Sequence, residues 1–92
     1  MKVIYRTKDG QADYGFSIER QSDGEYRSYI TSQPSYRGRS ESAHDSHRYT
    51  DSSDNRKYVC FVPMPRTESD AKKVAAGWAD HTQEYIRTDK TF

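Results

Sequence analysis

The sequence predicts a small α+β fold, an antiparallel sheet of β-β-β-long loop-β order with one C-terminal helix packed on it. Three observations carry that reading. Short alternating apolar segments are separated by Asp9-Gly10 and Asp23-Gly24, dipeptides that favour tight hairpin turns. The run Tyr58-Val59-Cys60-Phe61-Val62 is the most continuously apolar in the chain, and Pro63 and Pro65 stop it. Ala71, Val74, Ala75, Trp78, Thr82, Tyr85 and Ile86 follow i, i+3, i+4 spacing and make one helical stripe.

The first strand is expected over Lys2 to Lys8, with Val3, Tyr5 and Thr7 on one face. Asp13 to Arg20 then puts Tyr14, Phe16 and Ile18 on one side and Ser17 and Glu19 on the other. Gly15 within it marks a bulge or a close packing neighbour. In Glu25 to Thr31, Tyr26, Ser28 and Ile30 share a face, which completes a three-strand meander. A fourth strand, Arg56 to Val62, reads as buried on both faces. Thr67 is a suitable N-cap, and Glu68 and Asp70 suit the positive end of the helix dipole. The helix should run from Glu68 to Thr88, with Trp78 as its main core contact. Lys72, Lys73, Asp80, Gln83, Glu84 and Arg87 fall on its other side.

Residues 1–92 are one domain's worth of chain, with a long polar connection at 32–55. Hydrophobic residues are 32%, below the usual share, and leucine is absent, so the twelve aromatics, eight of them Tyr, must supply much of the remaining core volume. A buried Tyr ring needs a partner or solvent for its hydroxyl, which places many of them at the core's edge. Stability near the low end of about 5–15 kcal/mol is expected. Fifteen Lys and Arg against fourteen Asp and Glu leave a net charge of +1, which argues against a general duplex-DNA binder. The single Cys60 cannot form an internal disulfide, and no run resembles a signal peptide or membrane span. A cytoplasmic, reducing setting with no membrane association is the expectation, as is a complete small gene product beginning at Met1.

From Thr31 to Tyr58 the chain runs 28 residues without a Val, Ile, Leu, Met or Phe. A polar connection this long in a small domain is usually disordered or functional. His44, His47, Cys60 and His81 carry zinc-binding atoms, but no paired-ligand spacing supports a tetrahedral site. Cys60 sits in the apolar run, where a thiol usually packs rather than reacts. No Gly-rich phosphate cradle or fixed carboxylate pair is present in the pattern, so neither catalysis nor a cofactor is expected. Tyr36-Arg37-Gly38-Arg39 and His47-Arg48-Tyr49 instead combine planar cations with aromatic faces. Arg forks bind phosphates or carboxylates, while Tyr stacks on bases or anchors protein contacts. The candidate partner-binding set is therefore Tyr36, Arg37, Arg39, His47, Arg48 and Tyr49. The alternative is a solvated loop whose arginines pair with Glu41, Asp45, Asp51 and Asp54.

Two family resemblances arise. A sheet followed by Arg66-Thr67-Glu68-Ser69-Asp70-Ala71-x-x-Val74-Ala75-x-x-Trp78 resembles the three-strand-plus-helix DNA-binding domains of tyrosine integrases. That resemblance implies nucleic-acid binding through the sheet face, with Arg6, Arg20 and Arg27 joining the loop arginines. In size, cysteine poverty, Tyr and charge content and small sheet-and-helix core, the chain also resembles phage-encoded anti-CRISPR proteins. This second resemblance implies a non-enzymatic phage or mobile-element inhibitor. Its partner would be a protein or ribonucleoprotein such as a CRISPR-Cas effector, with possible direct contact to RNA or DNA phosphates. Those proteins share no common motif, so no residue role transfers from them.

Overall fold

The computed structural model describes residues 1–90. Its elements are β1 (Lys2–Arg6), β2 (Asp13–Arg20), β3 (Tyr26–Ser32), α1 (Ala43–Ser46), β4 (Arg48–Thr50), β5 (Lys57–Val59) and α2 (Glu68–Thr88). The strands form one antiparallel five-stranded sheet in the order β1-β2-β3-β5-β4, and α2 crosses one of its faces. The expected α+β class, the meander and the helix bounds are all present.

Local chemistry explains these elements. Gly10 and Gly24 take φ of 71° and 86° in the two hairpin turns, where a side chain would be strained. Register shifts between Gly15 and Phe16, and a Cβ on Gly15 would stand 2.6 Å from Ser32 Oγ, so both readings of that glycine hold. Thr67 Oγ1 accepts the Asp70 amide at 3.1 Å and starts α2.

The core forms where the Tyr14-Phe16-Ile18 face of β2 meets the α2 stripe. Trp78 stands edge-on to Tyr14 and Phe16, with ring centroids 5.8 and 6.0 Å apart. Ala71, Ala75 and Ala79 are buried and let the helix lie close to the sheet, where Ser28 Oγ donates to the Ala71 carbonyl at 3.2 Å. Gln83, expected on the polar side of α2, is buried instead. Its Oε1 accepts the hydroxyl of Tyr14 at 3.2 Å, meeting the need of a phenol taken out of water, and burial pushes the Tyr14 pKa up.

The 32–55 connection is structured rather than a plain loop. It begins inside β3, contains α1 and all of β4, and is tied down by contacts with α2. Tyr36 packs against Tyr85, the Tyr85 hydroxyl donates to the Ser40 carbonyl at 2.9 Å, and Trp78 Nε1 donates to the Ser46 carbonyl at 3.0 Å. Ser42 caps α1 by accepting the Asp45 amide, and His47 ends it at φ 53°. The fourth predicted strand is also corrected. β5 spans only Lys57–Val59, and Phe61 and Val62 are exposed. Pro63 and Pro65 bring no N–H to a ladder, and the Pro65 carbonyl accepts the Tyr26 amide at 2.8 Å, which ties the segment to the start of β3.

Candidate binding site

The sheet face turned away from α2 carries an aromatic row. Tyr29 and Tyr49 both lie opposite Tyr58 across strands, with ring centroids 5.7 and 5.6 Å from it. Arg27 lies 4.3 Å over the Tyr58 ring and Arg56 lies 3.7 Å over Tyr29. Both cations are already paired. Arg56 reaches Asp54 at 2.6 Å and Glu19 at 2.8 Å, and Arg27 reaches Asp51 at 3.1 Å. Asp51 also accepts both donors of Ser53 and the Tyr29 hydroxyl. The Ser53 and Tyr29 hydrogen bonds, with Arg27 beside them, hold its carboxyl well below the usual range. Arg56 likewise holds Glu19 low.

The six candidate residues do not form one surface. Tyr36 is 4% exposed and belongs to a second apolar cluster with Tyr85 and Ile86. Arg48 lies beside it, its guanidinium 5.0 Å over the Tyr36 ring. Arg39 is half-buried and spends its Nε on the Ile86 carbonyl at 3.3 Å, near the end of α2. Arg37 is exposed at φ 53°, and Tyr49 is exposed on edge strand β4. The Cys60 thiol next to Tyr49 raises the pKa of that phenol. His47 is set apart from the others, at a cleft under α2. Loop pairing is realised in part: Arg48 faces Glu41, Arg56 faces Asp54, and Asp51 is taken by Arg27.

That cleft, about 440 Å³, lies between the end of β5 and α2. Val59, Phe61, Val74 and Trp78 form its apolar walls, and His47, Cys60, Lys73 and His81 complete it. Beyond Phe61 a second groove continues over Pro63, Met64, Pro65, Arg66, Asp70 and Lys73. The fold thus brings His47, Cys60 and His81 to one cleft, although no group of three or more His, Cys, Asp or Glu among the described residues could hold a metal ion. Sequence reasoning assigned Phe61 and Val62 to the core and missed them as surface residues; the two prolines that follow them were the available signal. No helix among the described residues is long and apolar enough to cross a membrane.

Comparison with known proteins returns no match: no family model, no curated protein and no solved structure matches this chain.

Proposed function

We propose that the chain is a non-enzymatic binding protein, a phage or mobile-element inhibitor that docks on a host-defence CRISPR-Cas ribonucleoprotein and blocks its nucleic-acid targeting. The observation that carries the binding reading is the open apolar cleft of about 440 Å³ beside α2, with Phe61 on its wall and exposed Val62 next in the chain. Val62 is 77% exposed in a chain short of core-forming residues. Contiguous apolar surface of this kind marks interaction sites. Its border carries Lys73 on the cleft and, beyond Phe61, Arg66, which also faces Glu25 at 4.0 Å, together with Asp70. The complementary occupant is a protein segment that places an apolar side chain in the cleft and carboxylates around it. Of the six candidate residues, His47 lines this cleft. The resemblance in size and composition to anti-CRISPR proteins supports the class of partner.

The alternative, a small DNA- or RNA-binding domain of integrase-arm type, fits the outer sheet face less well. Its aromatic row suits base stacking, but phosphates would have to compete with Glu19, Asp51 and Asp54 for Arg27 and Arg56.

The test is expression in bacteria carrying active CRISPR-Cas systems of different types, challenged with a targeted phage. Plaque counts should rise by orders of magnitude in at least one host. The double variant Phe61→Asp, Val62→Asp should keep its melting curve and lose the protection. Folded protein that protects no host overturns the inhibitor reading. Binding to naked DNA or RNA that weakens steeply with salt would favour the integrase-type alternative.

A further inference from the structure

A second cleft, about 400 Å³, opens between the end of β3, the 33–41 loop and the β4–β5 hairpin. Its polar lining includes Gln33, Tyr36, Glu41, Arg48 and Lys57. Arg48 is its anomaly. The side chain is only 12% exposed, yet its nearest carboxylate, Glu41, stands 3.6 Å away, beyond hydrogen-bond length. Of the five guanidinium N–H donors, Nη1 makes one long bond of 3.4 Å to Gln33 Oε1, and Nε is buried with no partner. The Tyr36 ring lies under the guanidinium, and its buried hydroxyl makes no well-formed hydrogen bond, with only the Gln33 side chain beside it. A cation withdrawn from water needs close, hydrogen-bonded counter-charge to offset its desolvation. Glu41 supplies little of it and is itself 63% exposed.

We propose that this cleft is a carboxylate-binding site in which Arg48, with Lys57 at its border, receives an acidic side chain of a protein partner. Two cations against Glu41 leave the lining at +1, which matches a monoanion better than a doubly charged phosphate. A planar guanidinium fork suits a carboxylate through two parallel hydrogen bonds. Glu41 is then a weak internal competitor, displaced when the incoming carboxylate takes up the Arg48 donors. The source of that carboxylate rests on the protein-partner reading above; the existence of the site does not.

Solution NMR tests it on the full chain. The Arg48 Nε–H signal, with the Gln33 and Glu41 amides as second reporters, is followed during addition of sodium acetate or N-acetylglutamic acid α-amide. Sodium chloride and sodium phosphate serve as controls at matched ionic strength. Saturable shifts are expected with both carboxylates and not with chloride. Glu41→Gln, at an exposed position, should tighten acetate binding several-fold, and Arg48→Lys should weaken it while keeping the charge. Absence of a saturable shift, chloride matching acetate, or unchanged affinity in Glu41→Gln overturns the site. Tighter binding of phosphate than of acetate overturns its carboxylate selectivity. A metabolite rather than a partner as the source is indicated if acetate binds but acetylglutamic acid α-amide, the side-chain mimic, does not. Phe61 and Val62 are not in this cleft, so failure here and failure of phage protection are separate results.

Discussion

On the outer sheet face, Arg56 keeps 42% of its side chain exposed and holds carboxylates at 2.6 and 2.8 Å. Across the molecule, Arg48 keeps 12% exposed and its nearest carboxylate is at 3.6 Å. Electrostatics would order them the other way, since a charge gains most from a close partner where water is least able to solvate it. The outer face is a closed network, with Glu19, Asp51, Asp54, Arg27 and Arg56 satisfying one another and bracing the β4–β5 hairpin against β2 and β3. The inner cleft holds a cation with spare donors. Charged residues of the polar segment thus do two different things: Asp51 and Asp54 join β2 and β3 side chains in fastening the fold, while Arg48 is left able to take a ligand.

The largest expected effect tests whether Tyr36 belongs to the fold side of that division. Tyr36→Ala removes a buried ring from the cluster with Tyr85 and Ile86 and should lower stability by about 3–5 kcal/mol, read from urea denaturation. A displayed anchor would lose no more than about 0.5 kcal/mol on the same change. The smaller result would return Tyr36 to the binding surface.

That division was only partly visible in the sequence. The meander and α2 were legible because alternation, Asp-Gly turns and a 3.6-residue stripe are local signals. Tyr36 was not, because its burial depends on Tyr85, far along the chain on a helix whose stripe already looked complete. β4 is three residues, Arg48-Tyr49-Thr50, too short to show a period. Gln83 looked like a surface residue until the Tyr14 hydroxyl required a partner. Phe61 and Val62 read as core from hydrophobicity alone, but they lie beyond β5, which ends at Val59, and are exposed. The arginines and tyrosines of the candidate site were found by composition; which of them face inward is a tertiary fact.

Replacing each arginine by Met separates the two regions by sign. Arg56→Met breaks two short ion pairs and strands Glu19 and Asp54, so the urea midpoint should fall. Arg48→Met puts an apolar chain where a poorly paired cation sits, and should be neutral or stabilising by about 1 kcal/mol. Equal losses at both positions would erase the contrast between the networks.

The closed network should also give the protein its acid limb. Asp51 and Glu19 titrate below their ordinary values when folded, so their contribution is present above the unfolded carboxyl range, about pH 4. It is lost as pH falls from there towards the folded values. Asp51→Asn should therefore be less stable at neutral pH and decline less steeply between about pH 5 and pH 2 in thermal melts. A parallel acid limb in the variant would show that other carboxylates carry it.

The smallest effect is the most discriminating for the inner cleft. Tyr36→Phe removes a buried hydroxyl that makes no well-formed hydrogen bond, only Gln33 standing beside it, while keeping the ring under Arg48 and against Tyr85. Deleting an unsatisfied buried donor relieves its desolvation, so stability should stay level or rise by about 1 kcal/mol. Tyr29→Phe, on the outer face, deletes a hydroxyl that donates to Asp51 at 2.6 Å and should be destabilising by about 1–3 kcal/mol. The same chemical deletion thus has opposite expected signs in the two regions. If Tyr36→Phe proves as costly as Tyr29→Phe, the Tyr36 hydroxyl is satisfied in solution, and the inner cleft is as closed as the outer network.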